Sequence, residues 1–445
     1  MIQRLLVSIR QDGLLSSVIK GSAHLFRGNV AAAALAFFQG VLATRLLGVD
    51  GFGLVSGTII VFVSNINTLL SFRMSETVVR FAAIPLSAGH KEQAAATIKL
   101  TGLLEVAATL LAYAVLLLLA PWGAARFAHD ASLAPWIALY GLAILGNIVY
   151  ETATGILRLA RRFDLLARIT LAQSVLTFGL IARAFFADGG LADVLLAYLA
   201  GKLLAGALVT ATAFRQANRD LGCGWWRAPL QAVSNRREIL SFSINTNLNG
   251  TLNLFTRDMV PLYLSYFSTS LDVGYFRLAQ GLINLVMLPI EPFIWPTYTE
   301  ITRAIAARQW QLTQRLLKQV SAIATGWVLP AATGLALFGP WLIPLMYGPD
   351  AAPAYPAVLI LALGYGFATI FQWNRPLLLA LGKPAFPVQV GVATGMIEVA
   401  LMFLLTPQYG YLAHAAILTG FFIASIGLNL WRGLSLAGRQ LKEPH

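Results

Sequence analysis

The chain has 445 residues, of which 58% are hydrophobic and only 11% are charged. Its mean hydropathy of +0.71 excludes an ordinary water-soluble domain, in which about a quarter of the residues are charged. The net charge of +13 would suggest a nucleic-acid partner for a soluble protein, but here it indicates basic loops on one side of a membrane. No nucleic acid is therefore expected. The single cysteine, Cys223, excludes an intrachain disulfide and a thiolate metal cluster.

Long apolar segments, separated by basic residues or by Gly and Pro, fill most of the sequence. A membrane-spanning helix needs about 20 apolar residues, so a dozen of them leave no room for a large soluble domain. Such long continuous apolar runs exclude a transmembrane β-barrel. The sequence predicts an all-α polytopic membrane protein with twelve transmembrane helices in two six-helix bundles. The predicted spans cover residues 28–48, 51–72, 97–119, 133–157, 166–187, 191–213, 240–266, 273–297, 319–344, 354–374, 385–406 and 411–431.

The longest polar stretch separates the sixth span from the seventh and divides the chain into two halves. Because each half has an even number of spans, both begin on the same side, and any internal repeat is parallel. A short similarity, with Thr44-Arg45 in the first span and Thr256-Arg257 in the seventh, supports such a repeat. The predicted domains are an amphipathic cytoplasmic amino terminus (1–27), a six-helix bundle (28–213), a cytoplasmic linker (214–238), a second six-helix bundle (239–431) and a cytoplasmic tail (432–445).

Most of the 32 Lys and Arg residues fall at the two termini or in every second connection. This distribution predicts that both termini are cytoplasmic. Lys202 departs from it, since it lies near the centre of the sixth span, about 16 Å from either interface. Because exposure to lipid at that depth costs several kcal/mol, Lys202 is predicted to face protein or a wet cavity. The other cations predicted inside the outer half are Arg45, Arg183, Arg257 and Arg277, for which snorkelling or pairing is the alternative.

Polar residues recur at helical spacing within three of the spans. These stripes predict a cavity lining, and hydrogen bonding between helices is the alternative. They comprise Asn245, Asn249, Asn253 and Arg257 in the seventh span, Arg277, Gln280, Asn284 and Glu291 in the eighth, and Tyr140, Asn147 and Glu151 in the fourth. Acidic residues in the spans are candidates for ion coupling or gating, with structural salt bridges as the alternative. These acids are Glu105, Glu151, Asp258, Glu291 and Glu398.

The sequence lacks the usual signals of catalysis. Its five histidines are scattered without metal-ligand spacing, and no Gly-rich loop with a following Lys is present to bind phosphate. No catalytic residue, metal or cofactor is therefore predicted. A transporter driven by an ion gradient or by the gradient of its substrate fits better than an ATPase, and the choice between H⁺ and Na⁺ stays open.

Four segments resemble one branch of a known transporter superfamily. They are AFFQGVLATRLLGVDGFGLVSG from Ala36, LDVGYFRLAQGL from Leu271, PFIWPTYTEI from Pro292 and LLLALGKP from Leu377. They are similar to the Wzx-like flippases of the polysaccharide-exporter branch of the multidrug/oligosaccharidyl-lipid/polysaccharide (MOP) superfamily. Where family members often have N-x-D-R in the seventh span, this chain has Thr256-Arg257-Asp258.

The resemblance implies two six-helix bundles around a central cavity in the bacterial inner membrane, and alternating access. It implies movement of an undecaprenyl-diphosphate-linked oligosaccharide from the inner to the outer leaflet for surface polysaccharides such as O-antigen. Lys202, Arg257, Arg277, Arg45 and Arg183 are then candidates for diphosphate binding, because a low dielectric strengthens their attraction for phosphate. Expected partners are the lipid-linked glycan, membrane lipids and the glycan polymerase or export machinery. The alternatives are an ion-coupled multidrug exporter and a membrane glycan polymerase or ligase.

Overall fold

The structure is a computed structural model that describes residues 13–71, 73–233 and 236–442. For residues 13–29, 245–250, 252, 292, 295 and 439–442 it describes the backbone without the side chains. Every regular element in this part of the chain is a helix, and it contains no strand. The predicted all-α class is confirmed. The amino-terminal residues 1–12 of the predicted amphipathic segment lie outside the described residues.

The first half contains spans 1 to 6, several of which are interrupted. Span 1 is the helix Gly13–Phe52, which kinks at Gly48, where φ is 74°. Glycine adopts such a positive φ without a steric penalty. The helices that follow are Gly53–Ile59, Ile60–Leu70 and Met74–Ser87 in span 2, Lys91–Phe127 in span 3, Ala134–Tyr140, Leu142–Gly146 and Tyr150–Leu159 in span 4, Phe163–Phe186 in span 5 and Leu191–Leu221 in span 6.

The second half repeats this pattern of continuous and interrupted helices. Its helices are Arg236–Asn253, Leu254–Asp258 and Val260–Phe267 in span 7, Ser270–Met287, Leu288–Phe293 and Ile294–Ala306 in span 8, Trp310–Tyr347 in span 9, Tyr355–Ile370 and Asn374–Ala380 in span 10, and Ala385–Lys442 in spans 11 and 12. Spans 11 and 12 join at a kink at Gly410, where φ is 59°. We call the ends predicted to be cytoplasmic the inner ends, and the opposite ends the outer ends.

Length and apolar composition allow nine helical stretches of the described residues to cross a membrane. Two of these stretches, Val30–Ser87 and Ala385–Gly438, contain two spans each. Span 7 is not among the nine because its first helix is rich in Asn, Ser and Thr. Adding it gives twelve spans, as the sequence predicts, and the chain is a multi-pass membrane protein.

By their internal contacts, the described helices group into two compact units. One unit comprises residues up to Val41 together with Tyr275–His445, and we call it the C-unit; the other, Leu42–Gly274, is the N-unit. Span 7 thus belongs to the N-unit, whereas the sequence assigns it to the second bundle. The boundaries of the predicted six-plus-six domains stay a prediction.

Apolar cores lie toward the inner ends of both units. In the N-unit, Val78, Ile98, Leu157 and Val209 join spans 2, 3, 4 and 6. In the C-unit, buried side chains of spans 8, 9 and 10 meet, among them Ile301, Leu317, Trp373 and Leu377. Fully burying one such side chain stabilises the fold by about 1.5–3 kcal/mol. These cores hold the inner segments of the interrupted spans in place.

The segment that joins spans 6 and 7 packs on the N-unit. Ala228 and Val233 are buried against Ala95 and Ala96 of span 3. Lys99 Nζ donates a hydrogen bond to the Ala228 carbonyl oxygen at 3.0 Å. The predicted linker is therefore docked on the inner end of span 3 along this part of its length.

Candidate functional site

Span 7 lies antiparallel to span 2 within the N-unit. From the inner end outward, Thr77 bonds Ser243 (3.0 Å) and Thr58 bonds Ser265 (2.8 Å) through their hydroxyl groups. Between these pairs, Asn65 Nδ2 donates to the backbone carbonyl of Asp258 at 3.3 Å. Polar contacts therefore follow the two helices along most of their length, as expected for hydrogen bonds between helices in lipid.

Two glycines allow the outer turns of the N-unit to pack backbone to backbone. A Cβ atom on Gly53 would overlap the carbonyl oxygen of Ser270, and one on Gly274 would overlap the carbonyl oxygen of Val49. Asp50 also accepts a hydrogen bond from the Ser270 hydroxyl. The two contacts are reciprocal, since Val49 and Ser270 are 221 residues apart in sequence, as are Gly53 and Gly274.

This offset gives the register of an internal repeat. The similarity between Thr44-Arg45 and Thr256-Arg257 implies an offset of 212 residues instead. In the register of the glycine contact, Thr44-Arg45 corresponds to Ser265-Tyr266. The sequence similarity therefore matched residues that differ in position by nine.

Lys202 is exposed in span 6, between two faces that pack closely on neighbouring helices. A Cβ on Gly201 would overlap the Thr177 hydroxyl of span 5, and one on Gly206 would overlap the Gly146 carbonyl of span 4. At about 100° per residue, Lys202 points between these two faces. It therefore projects into the space between spans 4 and 5.

Polar side chains lie on both sides of this space. Asn147 Oδ1 would be 2.9 Å from a Cβ on Gly206, and Gln173 Cγ would be 3.4 Å from one on Gly201. We call Asn147, Gln173, Thr177 and Lys202 the polar wedge. The sequence identified Asn147 and Lys202 but missed Gln173 and Thr177, although their spacing of four residues in an apolar helix is a signal of a shared polar face.

Two glutamates of the N-unit cap helices that begin at breaks within spans. Glu105, only 3% exposed, accepts the backbone N–H groups of Glu151 (2.7 Å) and Thr152 (2.8 Å) at the start of Tyr150–Leu159. Glu151 in turn accepts the hydroxyl of Ser75 (2.7 Å) and its backbone N–H (3.3 Å), near the start of Met74–Ser87. Negative groups at such positions satisfy orphan donors and complement the helix dipole.

The hydrogen bonds of these two glutamates differ from both sequence-based alternatives. The partners of Glu105 are backbone N–H groups instead of a cation. Arg158 reaches the network only through the Ser75 hydroxyl, at 3.3 Å. Among the described residues, no group of three or more His, Cys, Asp or Glu side chains is arranged to hold a metal ion.

The remaining candidates of the N-unit are dispersed. Arg45, Arg183, Arg257, Asp258 and Asn253 are exposed. Arg257 and Arg73 both attract the Asp258 carboxylate electrostatically, which agrees with the predicted pairing of Arg257 with Asp258. Tyr140 is buried, with 3% exposure, so it does not line an open space. The side chains of Asn245 and Asn249 lie outside the described part of the structure.

In the C-unit, three polar side chains form a connected group. Arg277 donates to Gln280 Oε1 at 2.8 Å, and Gln280 Nε2 donates to the Tyr365 hydroxyl at 3.2 Å. The sequence predicted that Arg277 and Gln280 share a face but missed Tyr365. Of the other candidates, Asn284 and Glu291 are exposed, whereas Glu398 is 2% exposed within span 11.

These arrangements offer chemistry for binding an anion and hydroxyl groups. A lysine ammonium between an amide and a hydroxyl can hold a phosphate as a point charge. The guanidinium, amide and phenol of the C-unit group can hydrogen-bond the same kinds of atom.

Comparison with known proteins identifies the family. A family model described as "Polysaccharide biosynthesis protein" matches residues 41–355. The chain belongs to this family. No curated protein matches the chain.

Several solved structures share the fold. One is an inward-facing multidrug resistance MATE family transporter of the MOP superfamily (TM-score 0.70, 15% identity, 93% of this chain and 96% of that chain). Another is the lipid II flippase MurJ in an inward closed conformation (0.71, 13%, 93% and 90%). A third is a MOP superfamily transporter from Pyrococcus furiosus described as having a binding pocket of reverse polarity (0.62, 15%, 96% and 96%). The resemblance to MOP-superfamily proteins is confirmed at the level of family and fold.

Proposed function

We propose that the protein is a transporter that moves an undecaprenyl-diphosphate-linked oligosaccharide from the inner to the outer leaflet of the bacterial inner membrane. Its membership of the polysaccharide biosynthesis family supports this substrate class. The observation that carries the proposal is the exposed ammonium of Lys202 among the amide and hydroxyl groups of the polar wedge. A cation placed this deep in a membrane protein favours an anionic substrate.

The proposed orientation has both termini in the cytoplasm, and the product serves cell-surface polysaccharide synthesis. Arg45, Arg183, Arg257 and Arg277 are proposed to contact the diphosphate along its path. Coupling to H⁺ or Na⁺ through an intramembrane acid, and contact with a glycan polymerase, remain predictions. The proposal gives the protein no catalytic residue and no cofactor.

The test of substrate binding uses purified protein in proteoliposomes with a fluorescent undecaprenyl-diphosphate-linked glycan. Lys202→Ala should slow translocation at least about tenfold, because the missing charge interaction exceeds 1.4 kcal/mol in a low dielectric. Lys202→Arg should retain much of the rate. Lys91→Ala, which removes an exposed lysine at the inner end of span 3, is the matched control. Equal rates for the Lys202→Ala and Lys91→Ala variants would contradict a role for Lys202 in binding.

Alternating access predicts that the glycine contact at the outer turns opens and closes. Gly53→Ala and Gly274→Ala should hold the turns apart, because each added Cβ meets a backbone oxygen that cannot rotate away. A cysteine at Ser270 in a Cys223→Ser background should then react faster with an external water-soluble thiol reagent. Gly281→Ala adds a Cβ with nothing within 4 Å and is the control. Unchanged reactivity in both test variants would contradict a gate at this contact.

The similarity in fold to a MATE transporter makes a multidrug exporter the second candidate. Cationic drugs require acidic groups in the binding site, since opposite charges attract. Efflux of a cationic dye by wild-type proteoliposomes, without glycan translocation, would favour this alternative. Glycan translocation without dye efflux supports the flippase.

A further inference from the structure

An apolar groove runs along span 6 on the side opposite the polar wedge. Its volume is about 660 Å³, and it is walled by Gly146 and Ile148 of span 4 and by one face of span 6. Leu203, Ala207, Ala211 and Phe214 on that face are all exposed. By helical phase these residues lie more than about 90° away from Lys202. The groove is therefore distinct from the proposed phosphate site.

The groove has the length of one bilayer leaflet. From Leu203 to Arg215 span 6 rises about 18 Å, compared with about 15 Å for half of a typical hydrocarbon core. Its outer end lies beside the break in span 4, and its inner end lies at Arg215. A hydrocarbon chain of the inner leaflet fits this extent, whereas an undecaprenyl chain is much longer than the groove.

The inner end combines a cation with an aromatic surface. The Phe214 ring stacks on Trp226, with centroids 5.1 Å apart and an interplanar angle of 28°. Tryptophan and its aromatic neighbours are typical of the headgroup level of a membrane. Arg215 is exposed, and no acid of the described residues lies within ion-pair distance of it.

The nearest acid along the helix is already engaged. Both carboxylate oxygens of Asp220 accept hydrogen bonds from Gln216 Nε2 at 3.0 Å. Arg215 is therefore available to an external anion at the mouth of the groove. Basic sites between transmembrane helices on the cytoplasmic side are suited to anionic lipid headgroups.

We infer that the groove binds an anionic phospholipid of the inner leaflet, with one acyl chain along Leu203, Ala207 and Ala211 and its phosphate on Arg215. The lipid occupies a surface away from the proposed transport path. The inference is independent of the proposed function, so it stands or falls separately.

Native mass spectrometry of the full-length protein with added dioleoyl-phosphatidylglycerol or dioleoyl-phosphatidylcholine tests the headgroup. The wild type should retain one phosphatidylglycerol in preference to phosphatidylcholine. Arg215→Gln should weaken phosphatidylglycerol binding about fivefold and leave phosphatidylcholine binding unchanged, and Arg215→Lys should retain the preference. Arg168→Gln, at an exposed arginine of span 5 outside the groove, is the control. Equal effects of Arg215→Gln and Arg168→Gln would overturn the assignment.

Filling the groove tests the acyl chain. Ala211→Phe should weaken binding of both phospholipids, and the smaller change Ala207→Leu serves if the first variant is not monodisperse. Unchanged binding in a monodisperse variant would overturn the groove as the site. Displacement of phosphatidylglycerol by an equimolar amount of undecaprenyl phosphate would overturn the choice of occupant, because it would favour the isoprenoid substrate. Failure to displace it supports the phospholipid.

Discussion

Span 4 of the N-unit and span 10 of the C-unit are interrupted at corresponding places but by different chemistry. The breaks begin at Asn147 and Phe371, 224 residues apart, close to the offset of the glycine contact. In span 4, a buried glutamate accepts the N–H groups at the start of the second helix. In span 10, neutral groups donate to the carbonyls at the end of the first helix: Ser321 donates to Ile370 and Asn374 to Phe371.

The comparison shows that a broken membrane helix can be stabilised from either side of its break. Every backbone group freed inside a membrane must find a partner. A carboxylate satisfies several donors at once and introduces a charge, whereas hydroxyl and amide groups satisfy acceptors one at a time without charge. The span 4 break should therefore depend strongly on one residue, and the span 10 break weakly on several.

The largest effect is expected for Glu105→Leu. Two buried N–H groups lose their acceptor, at about 1–3 kcal/mol each, so the free energy of unfolding should fall by about 3 kcal/mol. Glu105→Gln keeps one side-chain oxygen and should lose about half as much. Unfolding of the purified protein in nanodiscs measures both. Glu76→Gln, at a half-exposed residue paired with Arg73, is the control, with a change below about 0.5 kcal/mol. Similar values for Glu105→Leu and Glu76→Gln would contradict the capping role.

A smaller effect is expected where Glu151 caps the inner segment of span 2. Ser75→Ala removes a hydroxyl that donates to Glu151 and accepts from Arg158, and should cost about 1–2 kcal/mol. A double-mutant cycle with Glu151→Gln should give a coupling energy of at least about 0.5 kcal/mol. Additive effects of the two changes would show that the residues act independently.

Ser321→Ala tests the neutral pattern of span 10. The variant loses the bond to the Ile370 carbonyl and the one from Trp373 Nε1, at 2.7 Å, and should lower the free energy of unfolding by about 1 kcal/mol. Thr302→Ala, at an exposed threonine that bonds only within its own helix, should change it by less than about 0.5 kcal/mol. A loss from Ser321→Ala as large as that from Glu105→Leu would remove the contrast between the two breaks.

The smallest effect, with the opposite sign, is expected for Gln372→Leu. Both amide atoms of Gln372 and the Thr297 hydroxyl are buried without a partner among the described residues, and they line a small cavity whose other walls include Ile290, Phe293 and Leu316. Replacing an unsatisfied amide by an apolar group should leave stability unchanged or raise it. The same unfolding assay measures this, with Gln309→Leu at an exposed position as control. A loss above about 2 kcal/mol would mean that Gln372 has a bonded partner in the membrane.

The sequence by itself determined the helical class, the number of spans and the family resemblance. These follow from local composition, because a bilayer requires about 20 apolar residues per span and full internal hydrogen bonding. It also identified Lys202 as exceptional, since a charge at the centre of a span is costly whatever the fold.

Only the tertiary structure decided which polar residues meet. Glu105 and Glu151 are bonded to helix starts, Tyr365 joins Arg277 through Gln280, and Gln173 and Thr177 lie near Lys202. The repeat register likewise came from the contact of Gly53 with Ser270, not from the Thr-Arg similarity. The physical reason is that helical phase fixes the face on which a side chain lies, whereas its partner depends on packing between helices distant in sequence.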